Sequence, residues 1–165
     1  MNLNSLQTEI EKHIKYKSPI LKEWVKTHNK IIIIGNGGSN AIASHISIDY
    51  TKFLNKKSLS FSDAPMLTAY INDYGRDEAY KQFLSDYADK DNLVILISSS
   101  GNSMNIVNAA KWCEENNIKY AALSGFNPNN KLNQMNADFK YHVNYNSYGV
   151  VELAHEILLH SIVDN

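Results

Sequence analysis

Arginine occurs once, as Arg76, in a chain of 165 residues whose 16 Lys+Arg stand against 17 Asp+Glu, a formal net charge of -1. A protein that neutralises several duplex phosphates needs a basic face, and this balance leaves no surplus to build one, which argues against nucleic acid as a partner. A lone arginine also rules out a cluster of bidentate guanidinium forks. Any anion must be held by backbone N–H groups, hydroxyls and helix ends. Cysteine is equally scarce: Cys113 alone cannot close an intramolecular disulfide, which fits a reducing, cytoplasmic setting, and its place in a helical pattern marks it as inert core. No apolar run approaches the ~18 residues of a membrane span, and the charged start MNLNSLQTEIEKHIKYK lacks the apolar segment of a signal peptide. Linkers rich in Pro, Gly or Ser, internal repeats and low-complexity blocks are all missing, and Pro19, Pro65 and Pro128 fall between periodic segments. One domain over 1–165 is expected, with a helical region over 1–29 and an α/β core with a C-terminal helix over 30–165.

What is present alternates. Short β-rich runs occupy Lys30–Gly35, Ser58–Ser62, Leu93–Ser98, Lys119–Ser124 and Phe139–Val143. The first and third, KIIIIG and LVILIS, are continuously apolar, as strands buried on both faces are. Helical periodicity fills the intervals at about Asn40–Phe53, Pro65–Asn72, Asp77–Tyr87, Ser103–Asn116 and Lys131–Met135, with a last helix near Tyr148–Val163. The pattern predicts an α/β fold, a five-stranded parallel, doubly wound sheet flanked by helices. Two amphipathic helices, about Ser5–Tyr16 and Pro19–Thr27, precede it.

Two glycine-bearing loops join a strand to a helix. Gly35-Asn36-Gly37-Gly38-Ser39-Asn40 follows IIII, where a doubly wound fold binds anionic ligands. It fails as a dinucleotide fingerprint, because the spacing is not G-x-G-x-x-G and Asp63 comes too late to hold a ribose; no nucleotide cofactor is expected. Ser98-Ser99-Ser100-Gly101-Asn102-Ser103 follows LVILI and opens a helix near Met104. Four hydroxyls at the positive end of a helix, with a glycine that lets N–H groups turn inward, form a neutral cradle for a phosphate monoester. A plain N-cap would account for Ser103 alone.

With both loops in register the chain resembles the sugar isomerase (SIS) domain family, and within it the phosphoheptose isomerases, over about residues 30–163. The residues that carry the likeness are GNGGS at 35–39, His45, Asn72-Asp73-Tyr74-Gly75, SSSGNS at 98–103, and a terminal helix with Glu152, His155 and His160. The resemblance implies a flavodoxin-like SIS fold and conversion of sedoheptulose 7-phosphate to a heptose 7-phosphate for nucleotide-heptose and surface-polysaccharide synthesis. It implies that Ser98, Ser99, Ser100 and Ser103 hold the phosphate, and that Asn36, Gly37, Gly38, Ser39, Asn72, Asp73 and Glu152 contact the substrate. It further implies a homodimer or homotetramer with an interfacial active site, and zinc or another divalent metal at His45, Asp49, Glu152 and His160. Asp49 stands where these isomerases carry their catalytic glutamate, and Glu152 where they carry glutamine.

Aldose–ketose isomerisation moves a proton between adjacent carbons, so it needs a base, an acid near the sugar oxygens and groups that fix the open chain. His45 and Asp49, spaced i,i+4, share a helix face, and Asp49 is the candidate base or a metal-directed carboxylate. The family comparison makes His160 the candidate acid. Glu152 and His160 are separated by about 12 Å of helix rise, so one ion reaches both only if it lies midway or a second subunit supplies one of them. Glu152 and His155 are spaced i,i+3, which keeps His155 as a rival ligand. His13, His28 and His142 read as surface or strand histidines. The competing functions are a sugar-phosphate sensor or regulatory SIS protein without turnover, and an isomerase of a different phosphosugar.

Overall fold

The computed structural model describes residues 3–164, with the side chains of residues 3–6, 9 and 13 outside the described set, so the reading of His13 lies outside it too. Helix α1 (Leu3–Thr27) leads into strand β1 (Lys30–Gly35), then α2 (Gly38–Leu54), β2 (Lys57–Ser60), α3 (Ala64–Tyr74) and α4 (Ala79–Tyr87). Strand β3 (Asn92–Ser98), α5 (Met104–Asn116), β4 (Lys119–Gly125), α6 (Lys131–Gln134), β5 (Phe139–Val143) and α7 (Tyr148–His160) complete it. The five strands are all parallel, in the order β2-β1-β3-β4-β5.

Alternate strand residues feed two cores. Ile31, Ile33, Leu93, Ile95 and Ile97 pack with Ile42, Ile46 and Tyr50 of α2 and Val151, Leu158 and Leu159 of α7. Ile32, Ile34, Val94 and Leu96 pack on the other face with Phe83 and Leu84 of α4 and Ile106, Ala110 and Cys113 of α5. This is why the first and third strands read as unbroken apolar runs: every residue of β3 is buried. Strand β2 ends sooner than its sequence suggests, because Phe61 leaves the ladder to stack on Phe83 at 4.2 Å.

The expected break at Pro19 is not there; one helix runs through it. Proline within a helix removes a donor and crowds the carbonyl four residues back, a cost of about 3 kcal/mol. The apolar stripe continues across it, however, from Ile10 to fully buried Leu21 and Val25, and burying those two side chains contributes about 1.5–3 kcal/mol each. Ser18, beside the proline, accepts a 2.8 Å hydrogen bond from the Ser161 hydroxyl just after α7. Packing on α7 therefore outweighs the local penalty. Pro19→Ala should raise stability by about 1–2 kcal/mol, the restored helix bond less the entropy that proline removes from the unfolded chain. A denaturant midpoint that falls on this substitution contradicts a continuous α1.

Candidate functional site

In a 2-1-3-4-5 sheet the connections leaving β1 and β3 run to opposite sides, so their carboxyl ends border a crevice. The register sets Gly35 beside Ile97, which brings the two glycine loops face to face. They are tied by a reciprocal amide pair. Asn36 Nδ2 donates to Asn105 Oδ1 at 3.0 Å, and Asn105 Nδ2 donates to Asn36 Oδ1 at 2.8 Å. From below, the buried Tyr80 hydroxyl donates to the Gly35 carbonyl at 3.0 Å. Asn105 was not among the residues expected from sequence, since its role rests on a contact between distant loops.

Above this junction lies an open cavity of about 330 Å³. Asn36, Gly37, Gly38 and Ser39 line it at the start of α2, and Ser98, Ser99, Ser100 and Ser103 line it at the start of α5. Tyr148 and Glu152, in the first turns of α7, close the third side. Three helix N-termini thus converge on one space, the arrangement that favours an anion. No lysine or arginine is in the lining. None of the three helices has a side-chain cap, whereas α3 and α6 are capped by Asp63 and Asn130; α4, outside the cavity, is also uncapped.

Within the serine loop the hydroxyls divide. Ser98 Oγ accepts from the Gly101 amide at 3.2 Å and Ser100 Oγ from the Asn102 amide at 3.3 Å, so both shape the loop. The Ser103 hydroxyl is not spent on capping α5. Ser99 is 4% exposed, and its hydroxyl is buried with no hydrogen-bond partner. Gly101 has φ +65 and a β-carbon there would collide with Asn130, which leaves only glycine at the turn. At Gly38 a β-carbon would run into the Glu152 carboxylate, so this glycine lets α7 bring an acid over the first loop. Burial raises the pKa of Glu152 from its ordinary carboxylate value.

A second cluster stands further along α2 and α7. Asp49 Oδ2 lies 3.6 Å from His45 Nε2 and 3.6 Å from His160 Nδ1. The imidazole rings are 5.1 Å apart. These separations exceed a hydrogen bond, so the three groups face one another without being closed together. Glu156, unnoticed in the sequence, joins them, its Oε1 3.8 Å from His160 Nε2. Its i,i+4 spacing from His160 was the available signal. Glu152 does not join; it belongs to the cavity.

Other expected site residues stand elsewhere. Asn72 and Asp73 are exposed at the end of α3, paired at 2.9 Å with each other, and do not line the cavity. His155, the rival ligand, is fully buried and donates from Nε2 to the Ser124 carbonyl at 3.0 Å, with Nδ1 unpartnered. It is a core histidine that pins α7 to β4. His142 meets Ser124 Oγ at 3.0 Å on β5, and His28 meets the Trp24 carbonyl at 2.8 Å at the end of α1.

The family profile of the SIS domain matches residues 2–125. The chain belongs to the SIS-domain family. Phosphoheptose isomerase from Aliarcobacter butzleri is 32% identical to this SIS domain over 172 residues, covering 99% of this chain and 88% of that protein. Phosphoheptose isomerase from Buchnera aphidicola is 32% identical over 120 residues, 70% of this chain, and the match spans only 62% of that protein's length. Among solved structures, phosphoheptose isomerase GmhA from Neisseria gonorrhoeae superposes on the SIS domain with a TM-score of 0.88 at 26% identity, covering 97% of this chain and 91% of that one. No helix among the described residues is long and apolar enough to cross a membrane.

Burial, partly offset by the Ser124 hydrogen bond, pulls the His155 pKa down to about 4. Between that value and the ordinary ~6.5 of an unfolded histidine the unfolded chain takes up a proton that the folded chain refuses, so stability is complete above the window and falls as pH drops through it. At pH 5 the loss from this one group should be about 2 kcal/mol. Urea titrations at pH 7.5 and pH 5 should show a flatter profile for His155→Gln by about that amount; identical slopes contradict the assignment.

Proposed function

We propose that this SIS domain is an aldose–ketose isomerase that converts sedoheptulose 7-phosphate to D-glycero-D-manno-heptose 7-phosphate, in the cytoplasm, for nucleotide-heptose and surface-polysaccharide synthesis. The observation that carries the reading is the buried, unpartnered Ser99 hydroxyl at the cavity where three helices begin. Leaving such a group unsatisfied costs about 1–3 kcal/mol, and a phosphate oxygen would satisfy it. Ser98, Ser100 and Ser103 complete the cradle, with Gly37, Gly38 and Ser39 opposite and Asn36 held in place by Asn105. Relatives bearing the phosphoheptose isomerase name support the substrate class.

Spacing also favours a long sugar. From Gly38 to His45 helix α2 rises about 10 Å, and an extended seven-carbon chain at about 1.5 Å per bond spans about 8 Å. A phosphate in the cradle on the last carbon therefore delivers the carbonyl end toward His45 and Asp49, which a three-carbon phosphate would not reach. There Asp49 takes the proton from the carbon beside the carbonyl while His160 donates one to the carbonyl oxygen, giving an enediol. Asp49 then returns its proton to the former carbonyl carbon while the hydroxyl proton on the neighbouring carbon passes back to His160, so the aldose forms with both groups restored. The imidazoles and carboxylates around Asp49 suit zinc or a similar divalent cation, which when bound would polarise the sugar oxygens that His160 otherwise protonates. Asn72 and Asp73, exposed and away from this chain's cavity, would reach the substrate from a second copy, in a homodimer or homotetramer with an interfacial site.

Incubation with sedoheptulose 7-phosphate in deuterated water should label the carbon next to the carbonyl. Asp49→Asn should cut that exchange ~100-fold or more with substrate affinity kept, and Ser99→Ala should weaken substrate binding about tenfold. Binding without any label favours the second reading, a sugar-phosphate sensor, to which the short reach of Asp49 lends itself; no binding contradicts both. Exchange on another phosphosugar alone would keep the chemistry and change the substrate.

A further inference from the structure

Among the described residues, three other than glycine have a left-handed backbone: Asn55, Asn117 and Phe126. Asn55 and Asn117 follow α2 and α5, where their amides bond to carbonyls of the helix just ended and asparagine tolerates the conformation. Phe126, with φ +60, ends no helix. It follows β4 directly, and for a bulky aromatic such a backbone is an outlier that persists only where the surroundings dictate it. Here they do. Asn130 Nδ2 donates to the Gly125 carbonyl at 3.1 Å and the Leu132 amide to the Gly101 carbonyl at 2.9 Å, which ties the turn after β4 to the serine loop.

What the strained turn delivers is a ring. Phe126 meets Tyr148 edge to face, with centroids 4.8 Å apart and planes at 74°. Tyr148 lines the cavity of the glycine and serine loops. Phe126 lines a second cavity of about 460 Å³, among Asn102, Asn127, Asn144 and Asn146, and Ser100 belongs to both cavities. The two rings therefore stand where the cavities adjoin. Tyr148 is 61% exposed at the start of α7, so the Phe126 ring is the contact that orients it. A cradle without lysine or arginine depends on donors kept dry, because hydrogen bonds weaken electrostatically as water gains access.

We infer that Tyr148 is a substrate-contacting residue that walls the phosphate cavity off from the second cavity, and that Phe126 is the residue that positions it. Both roles rest on the sugar-phosphate reading of the cavity. The phosphate end is unchanged by isomerisation, so the wall acts on binding and not on the chemical step. Calorimetry of the full chain with sedoheptulose 7-phosphate, beside the kinetics of deuterium exchange, tests it. Tyr148→Ala should weaken binding about tenfold and raise KM alike, with kcat kept within about threefold. Phe126→Ala should do the same, and Phe126→Tyr, which keeps a ring, should restore affinity to within about threefold. If Phe126 acts through Tyr148, the double alanine variant binds within about twofold of Tyr148→Ala alone, whereas independent roles would multiply to about a hundredfold loss. Phe126 also packs on the core, so a lowered melting temperature in its variants does not score the inference; affinity and the double variant do. Unchanged affinity in Tyr148→Ala, a multiplied loss in the double variant, or a fall in kcat with KM unmoved overturns it. Binding by the wild type without deuterium exchange removes the isomerase while the affinities still score the wall. Exchange with affinity unmoved across the variants overturns the wall and keeps the isomerase, and a wild type that binds no sedoheptulose 7-phosphate overturns both.

Discussion

The pairing of β1 with β3 governs everything at the top of this molecule. Parallel neighbours must be joined by crossovers, and where the crossovers from two adjacent strands diverge to opposite faces the sheet cannot fill the space between them. Gly35 opposite Ile97 fixes where that gap opens, and the Asn36–Asn105 amide pair fixes its width. Because each crossover helix begins at the gap, its N-terminal amides point there without further instruction. The site is therefore a product of topology first and of particular side chains second.

Those side chains are nearly neutral. Helix ends and hydroxyls can compensate an anion without a cationic side chain, each helix N-terminus acting as roughly half a positive charge. The tyrosine and asparagine contacts beneath the loops hold those donors in place. Arg76, in the turn between α3 and α4, is not part of the lining, so the scarcity of arginine and the near-zero net charge have a structural counterpart. Glu152 is the one carboxylate in the lining, and burial raises its pKa from the ordinary carboxylate value. The ionisable cluster of His45, Asp49, Glu156 and His160 stands about two helical turns away, on a more exposed surface.

Much of this was legible in the sequence because it depends on short-range pattern. Continuous apolar runs announce doubly buried strands, and a glycine or serine loop between strand and helix announces where α2 and α5 begin on one cavity. What escaped depends on azimuth and on long-range packing. Pro19 reads as a boundary, but Leu21 and Val25 are carried onto α7 by a stripe that ignores it. Glu152, His155 and Glu156 lie within little more than one turn, yet they face the cavity, the sheet and the histidines respectively. A helix turns about 100° per residue, so similarity in sequence position says little about which neighbour a side chain meets. Asn72 and Asp73 match a family motif but do not reach the cavity of the same chain, since α3 buries none of its residues.

A crystal structure of the chain with sedoheptulose 7-phosphate decides how the cavity is used. The phosphate should lie on Ser99 Oγ and the first amides of α5, at about 2.7–3.1 Å, with no lysine or arginine of the same chain in contact and the carbonyl end directed along α2 toward Asp49. A phosphate bound on surface lysines, with the Ser99 hydroxyl still unpartnered, would contradict this placement.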